Sequence, residues 1–260
     1  MSTDEHTIPP LVPVLERTAA ERTAARRLRN GVRRTLRAFS YVLLTLGVLA
    51  FVWAFVIWKW NDPFTALYTR YEQGQLKVQY VHIREQALKT IVPVKPTASI
   101  ADEKHQVALN ADRYRAAAKD DTGIGKITVP RLHLNMILVN GTDESSLMRG
   151  PGRDPRTYMP GQGQLVYIAG HRTTYLAPFS HIDEMRNGDL ITLTVPYGTF
   201  TYRVYTHVIV PATDLARLKT FGKDVVVLQA CHPRFFATHR YLVYGRLVHV
   251  APTRGRPYNL

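Results

Sequence analysis

An uninterrupted apolar segment near the N-terminus constrains the fold of this chain more than any other feature. Residues 41–58 (YVLLTLGVLAFVWAFVIW) carry no charge over 18 positions. As a helix rising 1.5 Å per residue, they cover about 27 Å, close to the ~30 Å hydrocarbon thickness of a bilayer. The segment ends in bulky Trp58-Lys59-Trp60 without a small-residue cleavage site. We therefore expect an uncleaved transmembrane signal anchor over 40–60, rather than a cleaved signal peptide.

The charge on the N-terminal side of this segment predicts its orientation. Eight arginines lie between Arg17 and Arg37. The positive-inside bias places them in the cytoplasm, with the remaining residues outside the cell. We expect a disordered basic tail over 1–39, within which 19–38 can form a helix against an anionic membrane surface. The net charge of +14 permits an anionic partner, but no nucleic-acid module of known spacing is present, so no nucleic acid is predicted as a partner.

A partly helical connector is predicted over 61–123. The composition of 68–89 suits a helix, which Pro93 and Pro96 then end. A second, polar helix is expected over 101–119. Because its apolar content is thin, we expect it to act as a spacer rather than to pack against the rest of the chain.

From Gly125 onward, short β-branched apolar runs alternate with turn signals, a pattern typical of β-strands. Seven strands are predicted, at 126–130, 132–140, 165–169, 189–195, 200–210, 225–230 and 241–250. Many short strands with few helices indicate a sandwich or a small barrel, and about 125 residues suffice for one core. We therefore predict a mainly β domain over 124–251 and a loose basic tail over 252–260.

Three reactive groups stand at the edges of these predicted strands. They are the thiol of Cys231, the imidazole of His171 and the guanidinium of Arg240. Cys231 is the only cysteine, so it cannot form an intrachain disulfide. A nucleophile, a proton carrier and a fixed cation together suit acyl transfer. Taken singly, they would be a buried hydrophobe, a structural histidine and a surface charge.

The chemistry of an acyl transfer assigns each group a role. A free cysteine has a pKa near 8.5, and a nearby cation favours its reactive thiolate. His171 can hold the proton and return it to a departing amine. Arg240 can donate to the oxyanion of a tetrahedral intermediate, with the backbone N–H of His232 as a second donor. One cysteine with scattered histidines lacks the closely spaced ligands of a zinc site, so no metal or other cofactor is predicted.

Several segments resemble, in family order, those of the sortases, the membrane-anchored cysteine transpeptidases of Gram-positive cell surfaces. The segments are GKITVP (125–130), RGPG (149–152), MPGQ (159–162), IAGHRTTY (168–175), LQACHPR (228–234) and RYLV (240–243). Those around His171 and Cys231 are most similar to the class E type of actinobacteria. The resemblance implies a small closed barrel of seven to eight strands with short helices over 124–251. Two positions depart from the family pattern: Ala230 stands where threonine is usual, and Arg153 where an aromatic residue or histidine is usual.

The resemblance also implies a reaction and its partners. Cys231 would attack the Thr-Gly bond of a C-terminal sorting motif, similar to LPxTG or LAxTG, in a secreted protein. A cell-wall amine, from a peptidoglycan precursor or a pilin, would then resolve the thioester. Thr173 is a candidate for hydrogen bonds near the histidine. The connection 211–224 offers three apolar side chains that either contact the leucine of the motif or cap the barrel, namely Leu215, Leu218 and Phe221.

Three alternatives remain open from the sequence. A pilin-polymerising sortase often carries an Asp-Pro-aromatic lid, and Asp62-Pro63-Phe64 matches three letters of it. This triplet abuts the anchor and is interpreted as the start of a helix, and no second span follows Arg240. A membrane-anchored β-barrel without catalysis would bind a surface ligand. A cysteine peptidase would share the first half-reaction and release the acyl group to water.

Overall fold

The N-terminal apolar segment forms part of one long helix in the computed structural model, which describes residues 19–60, 63–93, 99–214 and 222–260. Helix α1 spans Ala19–Trp60. Within the described ranges, its segment Arg26–Val56 is the one helix long and apolar enough to cross a bilayer, and its most apolar 18-residue window has a mean hydropathy of 2.2. The expected N-terminal apolar helix is therefore confirmed. The helix expected over 19–38 of the basic tail is present as the first part of α1, and residues 1–18 lie outside the described residues.

The second unit of the chain, Val56–Leu260, contains a closed β-barrel. Its strands are β1 Gly123–Val129, β2 Leu134–Asn140, β3 Gly152–Arg153, β4 Leu165–Ala169, β5 Leu190–Val195, β6 Gly198–Pro211, β7 Val225–His232, β8 His239–Pro252 and β9 Tyr258–Asn259. Eight strands pair in the order β6-β5-β1-β2-β3-β4-β7-β8, and β8 pairs back onto β6 to close the barrel. The mainly β, closed barrel of seven to eight strands is confirmed, and all seven predicted strands are present.

Strands β4 and β7 are buried on both faces, which explains their continuous apolar runs. They pair in parallel, whereas most other neighbours are antiparallel. Alternate residues such as Val166 and Val226 face the barrel core, while Leu165 and Val225 belong to a second apolar cluster. Near-continuous runs of β-branched residues are what parallel strands covered on both faces require. The second cluster, which also includes Tyr167, Val210 and Leu242, is called the outer cluster below.

Helix α2, Pro63–Thr90, packs on the barrel next to the short helix α4, Glu144–Arg149. Leu76 and Tyr80 form an apolar cluster with residues of β2. The amide of Gln73 accepts from the N–H of Ile137 at 2.7 Å and donates to the carbonyl oxygen of Arg149 at 2.8 Å. This side chain therefore joins α2 to both β2 and α4.

Helix α3, Ile100–Ala117, packs into the main core, so the expectation of a polar spacer is wrong. Its N-terminus is closed by a capping box between Ser99 and Asp102. Val107, Ala111 and Tyr114 are buried. Their spacing of four and three residues places them on one helix face. The apolar content of this helix is low, but its few large apolar residues are concentrated where they contact the barrel.

The C-terminal tail is also more ordered than expected. Strand β9 pairs with β8, and Tyr258 is buried. The N–H of Arg256 donates to the buried carboxylate of Glu103 on α3 at 3.1 Å. The tail therefore joins the face of the unit that carries α3.

Tyr114 offers a test of the α3 contact. Its hydroxyl donates to the buried carbonyl oxygen of Ile124 at 2.9 Å. Tyr114→Phe removes this donor from a buried carbonyl, so we expect a loss of about 1–2 kcal/mol in the free energy of unfolding, or about 2–8 °C in Tm. Thermal unfolding followed by circular dichroism measures it. Tyr71→Phe, an exposed tyrosine on α2, is the matched control, and equal Tm values for the two variants would contradict the contact.

Candidate active site

Two parallel strands bring His171 and Cys231 to the same edge of the barrel. β4 and β7 pair with a constant offset of 60 residues, ending at Ala169 opposite Gln229. The N–H of Gly170 then donates to the carbonyl oxygen of Gln229 at 3.0 Å. The same offset relates residues 171 and 231. The histidine and the cysteine therefore leave the carboxyl ends of adjacent strands at the same level.

Position 170 requires glycine because the loop after β4 folds back and brings Phe179 close to the backbone at this residue. A Cβ atom at this position would lie 2.7 Å from a ring carbon of Phe179. The N–H of Phe179 donates to the carbonyl oxygen of His171 at 3.1 Å. A side chain at position 170 would therefore displace the loop that carries the histidine.

Arg240 lies directly opposite Cys231 in the antiparallel pairing of β7 and β8. Its Nη1 donates to the carbonyl oxygens of Ala237 and His239, at 2.8 and 3.0 Å. Within the described part of the chain, its Nε and Nη2 groups have no partner. A guanidinium that is fixed through one nitrogen keeps the donors of the other two for a ligand.

A cavity of about 300 Å³ joins the three groups. Its described lining residues are Thr142, Leu147, Asp154, Arg156, Tyr167, Ala169, Gly170, His171, Val210, Ala212, Asp214, Gln229, Cys231, Arg240 and Leu242. Tyr167, Val210 and Leu242 come from the outer cluster, which supplies its apolar part. A larger cavity of about 410 Å³ lies between α2, α3 and β1. No cysteine is among its described lining residues, so the smaller cavity is the candidate active site.

The ring of His171 is largely removed from water. Burial lowers its pKa, and the negative charge of Glu144 on α4 opposes that effect. Its Nε2 atom is buried and has no hydrogen-bond partner among the described residues. Because the pKa lies below the usual value of 6.5, the ring is mostly neutral at pH 7. A neutral imidazole is ready to accept a proton from a thiol.

Arg172 ties the histidine loop to the strand of the cysteine, and the sequence analysis did not single it out. Its side chain is 3% exposed and forms an ion pair with Asp183 at 2.8 Å. Its Nη1 donates to the carbonyl oxygen of Cys231 at 3.3 Å and lies 2.9 Å from Nδ1 of His232. The only sequence signal was its place directly after His171.

The side chain of His232 takes part in the contact between Arg172 and the end of β7. A guanidinium only donates, so Nδ1 of His232 accepts from Arg172 and its proton resides on Nε2. Partial burial and then the positive charge of Arg172 lower the pKa of His232. The side chain therefore has a structural contact of its own, while the role predicted for its backbone N–H stays a prediction.

The other predicted substrate contacts are not among the described residues that line the cavity. Thr173 is half-buried in the loop after His171 and is not among the described lining residues. Leu215, Leu218 and Phe221 lie outside the described residues. The start of their connection, at Ala212 and Asp214, does line the cavity.

A buried carboxylate at the cavity also escaped the sequence analysis. Asp154 is 2% exposed, and its carboxylate accepts from Nη2 of Arg156 at 2.6 Å. Burial alone would raise the pKa of Asp154, but the hydrogen bonds and charge of Arg156 outweigh it, and the pKa is lowered. The cavity wall therefore carries a fixed ion pair.

The two departures from the family pattern both lie away from the cavity. Ala230 is fully buried in the main core, whereas the neighbouring Cys231 lines the cavity. The side chain at position 230 therefore lies in the main core rather than in the cavity. Arg153 is buried, donates to Asn140 Oδ1 at 2.6 Å and to the carbonyl oxygen of Thr157 at 2.7 Å, and is not among the described lining residues.

A closed barrel with a cysteine, a histidine and an arginine around one cleft defines a candidate acyl-transfer enzyme, and comparison with known proteins gives its family. A family model for the sortase domain matches residues 127–248. Sortase D of Bacillus subtilis is 30% identical over 142 residues, which cover 52% of this chain and 70% of the relative. The chain therefore belongs to the sortase family of transpeptidases, which act on secreted proteins with sorting signals and on amine acceptors.

Other sortases match with lower identity. Sortase SrtE1 of Streptomyces coelicolor is 28% identical over 167 residues, covering 57% of this chain and 47% of the relative. The solved SrtF sortase from Corynebacterium diphtheriae superposes with a TM-score of 0.50 at 18% identity, covering 62% of this chain and 94% of that structure. This second likeness concerns the fold alone.

Proposed function

We propose that this chain is a cysteine transpeptidase that cleaves a C-terminal sorting motif of secreted proteins between threonine and glycine. Its acyl-enzyme is a thioester on Cys231, and the acceptor is a cell-wall amine. The observation that carries the proposal is the single cavity lined by Cys231, His171 and Arg240. Family membership supplies the reaction class, and this cleft supplies the groups to perform it.

The first half-reaction forms the thioester. The thiol proton of Cys231 passes to the neutral ring of His171, and the sulfur attacks the threonine carbonyl carbon. When the tetrahedral intermediate collapses, the carbon–nitrogen bond breaks and the imidazolium protonates the glycine amine. In the second half-reaction, an acceptor amine attacks the thioester, gives its proton to His171, and the Cys231 sulfur leaves.

Arg240 stabilises the charge that develops on the carbonyl oxygen. Its Nη1 is engaged with backbone carbonyls, which leaves the donors of Nε and Nη2 for the oxyanion. A pre-oriented donor favours the transition state because it needs no reorganisation when the charge appears. The backbone N–H of His232 is the proposed second donor.

The substrate leucine contacts the connection 211–224, with Leu215, Leu218 and Phe221 as the proposed apolar surface and Thr173 as a polar contact near the histidine. The described start of this connection lines the cavity, which supports its place beside the substrate. Helix α1 serves as the membrane anchor through residues 41–58, with the arginine-rich N-terminus in the cytoplasm and the barrel outside the cell. The motif around His171 favours the class E type.

Peptide transfer tests the proposal. The full chain in detergent micelles is incubated with Leu-Pro-x-Thr-Gly or Leu-Ala-x-Thr-Gly peptides and triglycine, and products are identified by mass spectrometry. Joined peptide supports the proposal, whereas free acid alone indicates a peptidase. No covalent adduct on Cys231 with either peptide would indicate a binding module. A lysine-bearing pilin peptide, offered in place of triglycine, distinguishes the pilin-polymerising alternative.

A further inference from the structure

The loop after His171 adopts an unusual backbone conformation. Tyr175, Leu176 and Ala177 have φ angles of 53°, 60° and 40°, in the left-handed region. The N–H of Ala177 donates to the carbonyl oxygen of Thr174 at 2.8 Å and closes the turn. Each non-glycine residue in this region costs about 1–2 kcal/mol, so the turn persists only where its surroundings hold it.

Helix α2 provides two of the contacts that hold this turn. The N–H of Tyr175 donates to the hydroxyl oxygen of Thr65 at 3.0 Å. The ring of Tyr68, one helical turn further along α2, meets the ring of Tyr175 edge-to-face at 6.4 Å and 72°. Both contacts join residues more than 100 positions apart in the chain, so they are tertiary restraints on the turn.

Tyr175 in turn packs on the histidine. The ring centroids of Tyr175 and His171 lie 5.0 Å apart with an interplanar angle of 42°. Since Nε2 of His171 has no hydrogen-bond partner among the described residues, no hydrogen bond at that atom orients the ring. The packing of Tyr175 is therefore a principal restraint on its orientation and on its access to water.

We propose that Thr65 and Tyr68 of α2 are positioning residues, which act through Tyr175 to hold the His171 ring in its reactive orientation. The role of His171 in the reaction rests on the proposed function, whereas the restraint itself does not. The barrel alone is then insufficient for full activity, because the helix that follows the membrane anchor completes the support of the histidine. Arg172 holds the other side of the same loop through Cys231.

Four variants of the full chain in detergent micelles separate positioning from folding. Thr65→Val removes the hydroxyl and Thr65→Ser keeps it, while Tyr68→Leu removes the ring and Tyr68→Phe keeps it. Tyr71→Leu, an exposed tyrosine on the same helix, is the unrelated control. Steady-state kinetics gives kcat and KM, and pH profiles are recorded both for transfer and for alkylation of Cys231 by iodoacetamide.

We expect Thr65→Val and Tyr68→Leu to lower kcat on the order of tenfold with little change in KM, because a displaced ring slows proton transfer rather than binding. Water that reaches the loosened ring relieves the burial that lowers the pKa of His171. The histidine-dependent inflection of both pH profiles therefore moves to higher pH. The conservative variants restore kcat, and Tyr71→Leu leaves it unchanged.

Wild-type kcat and pH profiles in both Thr65→Val and Tyr68→Leu would overturn the inference, as would a loss of kcat that Thr65→Ser and Tyr68→Phe share. The alkylation profile distinguishes this failure from failure of the proposed function. If wild-type enzyme transfers neither peptide while the inflection still moves in Thr65→Val, the positioning stands and the proposed reaction falls.

Discussion

Replacing Cys231 by alanine is expected to reduce peptide transfer by a factor of about 10⁴ or more, because no other thiol exists to form the acyl-enzyme. The cavity keeps its arginine and histidine in this variant, so substrate peptide should still bind. Transfer is measured by mass spectrometry with the same peptides and triglycine. Binding is followed separately by fluorescence anisotropy of a labelled peptide.

Removal of the sulfur should not unfold the protein. Cys231 lies at the end of β7, is partly exposed and forms no disulfide, so alanine leaves no buried cavity behind. An unchanged Tm therefore serves as the folding control. If Cys231→Ala retained transfer within tenfold of the wild-type rate, the nucleophile would have to be a different residue and the proposed thioester would be wrong.

Replacing Arg240 by alanine is expected to reduce kcat by about 10²–10³-fold, in line with the loss of one oxyanion donor. Arg240→Lys keeps the positive charge but loses the planar fork of donors, so its rate should fall between those of wild type and Arg240→Ala. Single-turnover measurement of acyl-enzyme formation shows whether the loss falls on the first half-reaction.

Arg246 provides the matched control for this experiment. It lies on β8 with Arg240, is exposed, and contacts the ring of Tyr205 rather than the cavity. Arg246→Ala should therefore keep kcat close to wild type while removing the same charge. Equal losses in the two alanine variants would attribute the effect to net charge, and wild-type turnover in Arg240→Ala would exclude Arg240 from the mechanism.

The barrel could be predicted largely because its strands carry strong local patterns. β4 and β7 are runs of β-branched and apolar residues, and the predicted 165–169 coincides with the observed β4. Strands β3 and β9 contain two residues each, which are too few to show an alternating pattern in the sequence. They exist because neighbouring strands offer them free backbone partners. Helix α3 was misread because its packing depends on the position of its apolar residues rather than on their number.

In the candidate site, too, some residues could be recognised from local sequence patterns, whereas others are defined by tertiary contacts. Cys231, His171 and Arg240 stand beside recognisable strands, so their types and positions suggested a common chemistry. Arg172 and Tyr175 occur in the same motif, but their contacts reach Asp183 and α2. Such contacts depend on how the chain returns on itself, which no local pattern encodes. Sequence reasoning therefore proposed the reacting groups and missed the residues that hold them.

The constant pairing of β4 with β7 has a consequence for how such a chain tolerates insertions and deletions. Inserting one residue within either strand would advance one group by about 3.3 Å and rotate it to the opposite face of the sheet. The histidine and the cysteine would then no longer leave their strands at the same level. Loops outside both strands can change length without altering this alignment. We therefore expect natural length variation to be confined to those loops and absent from the two strands.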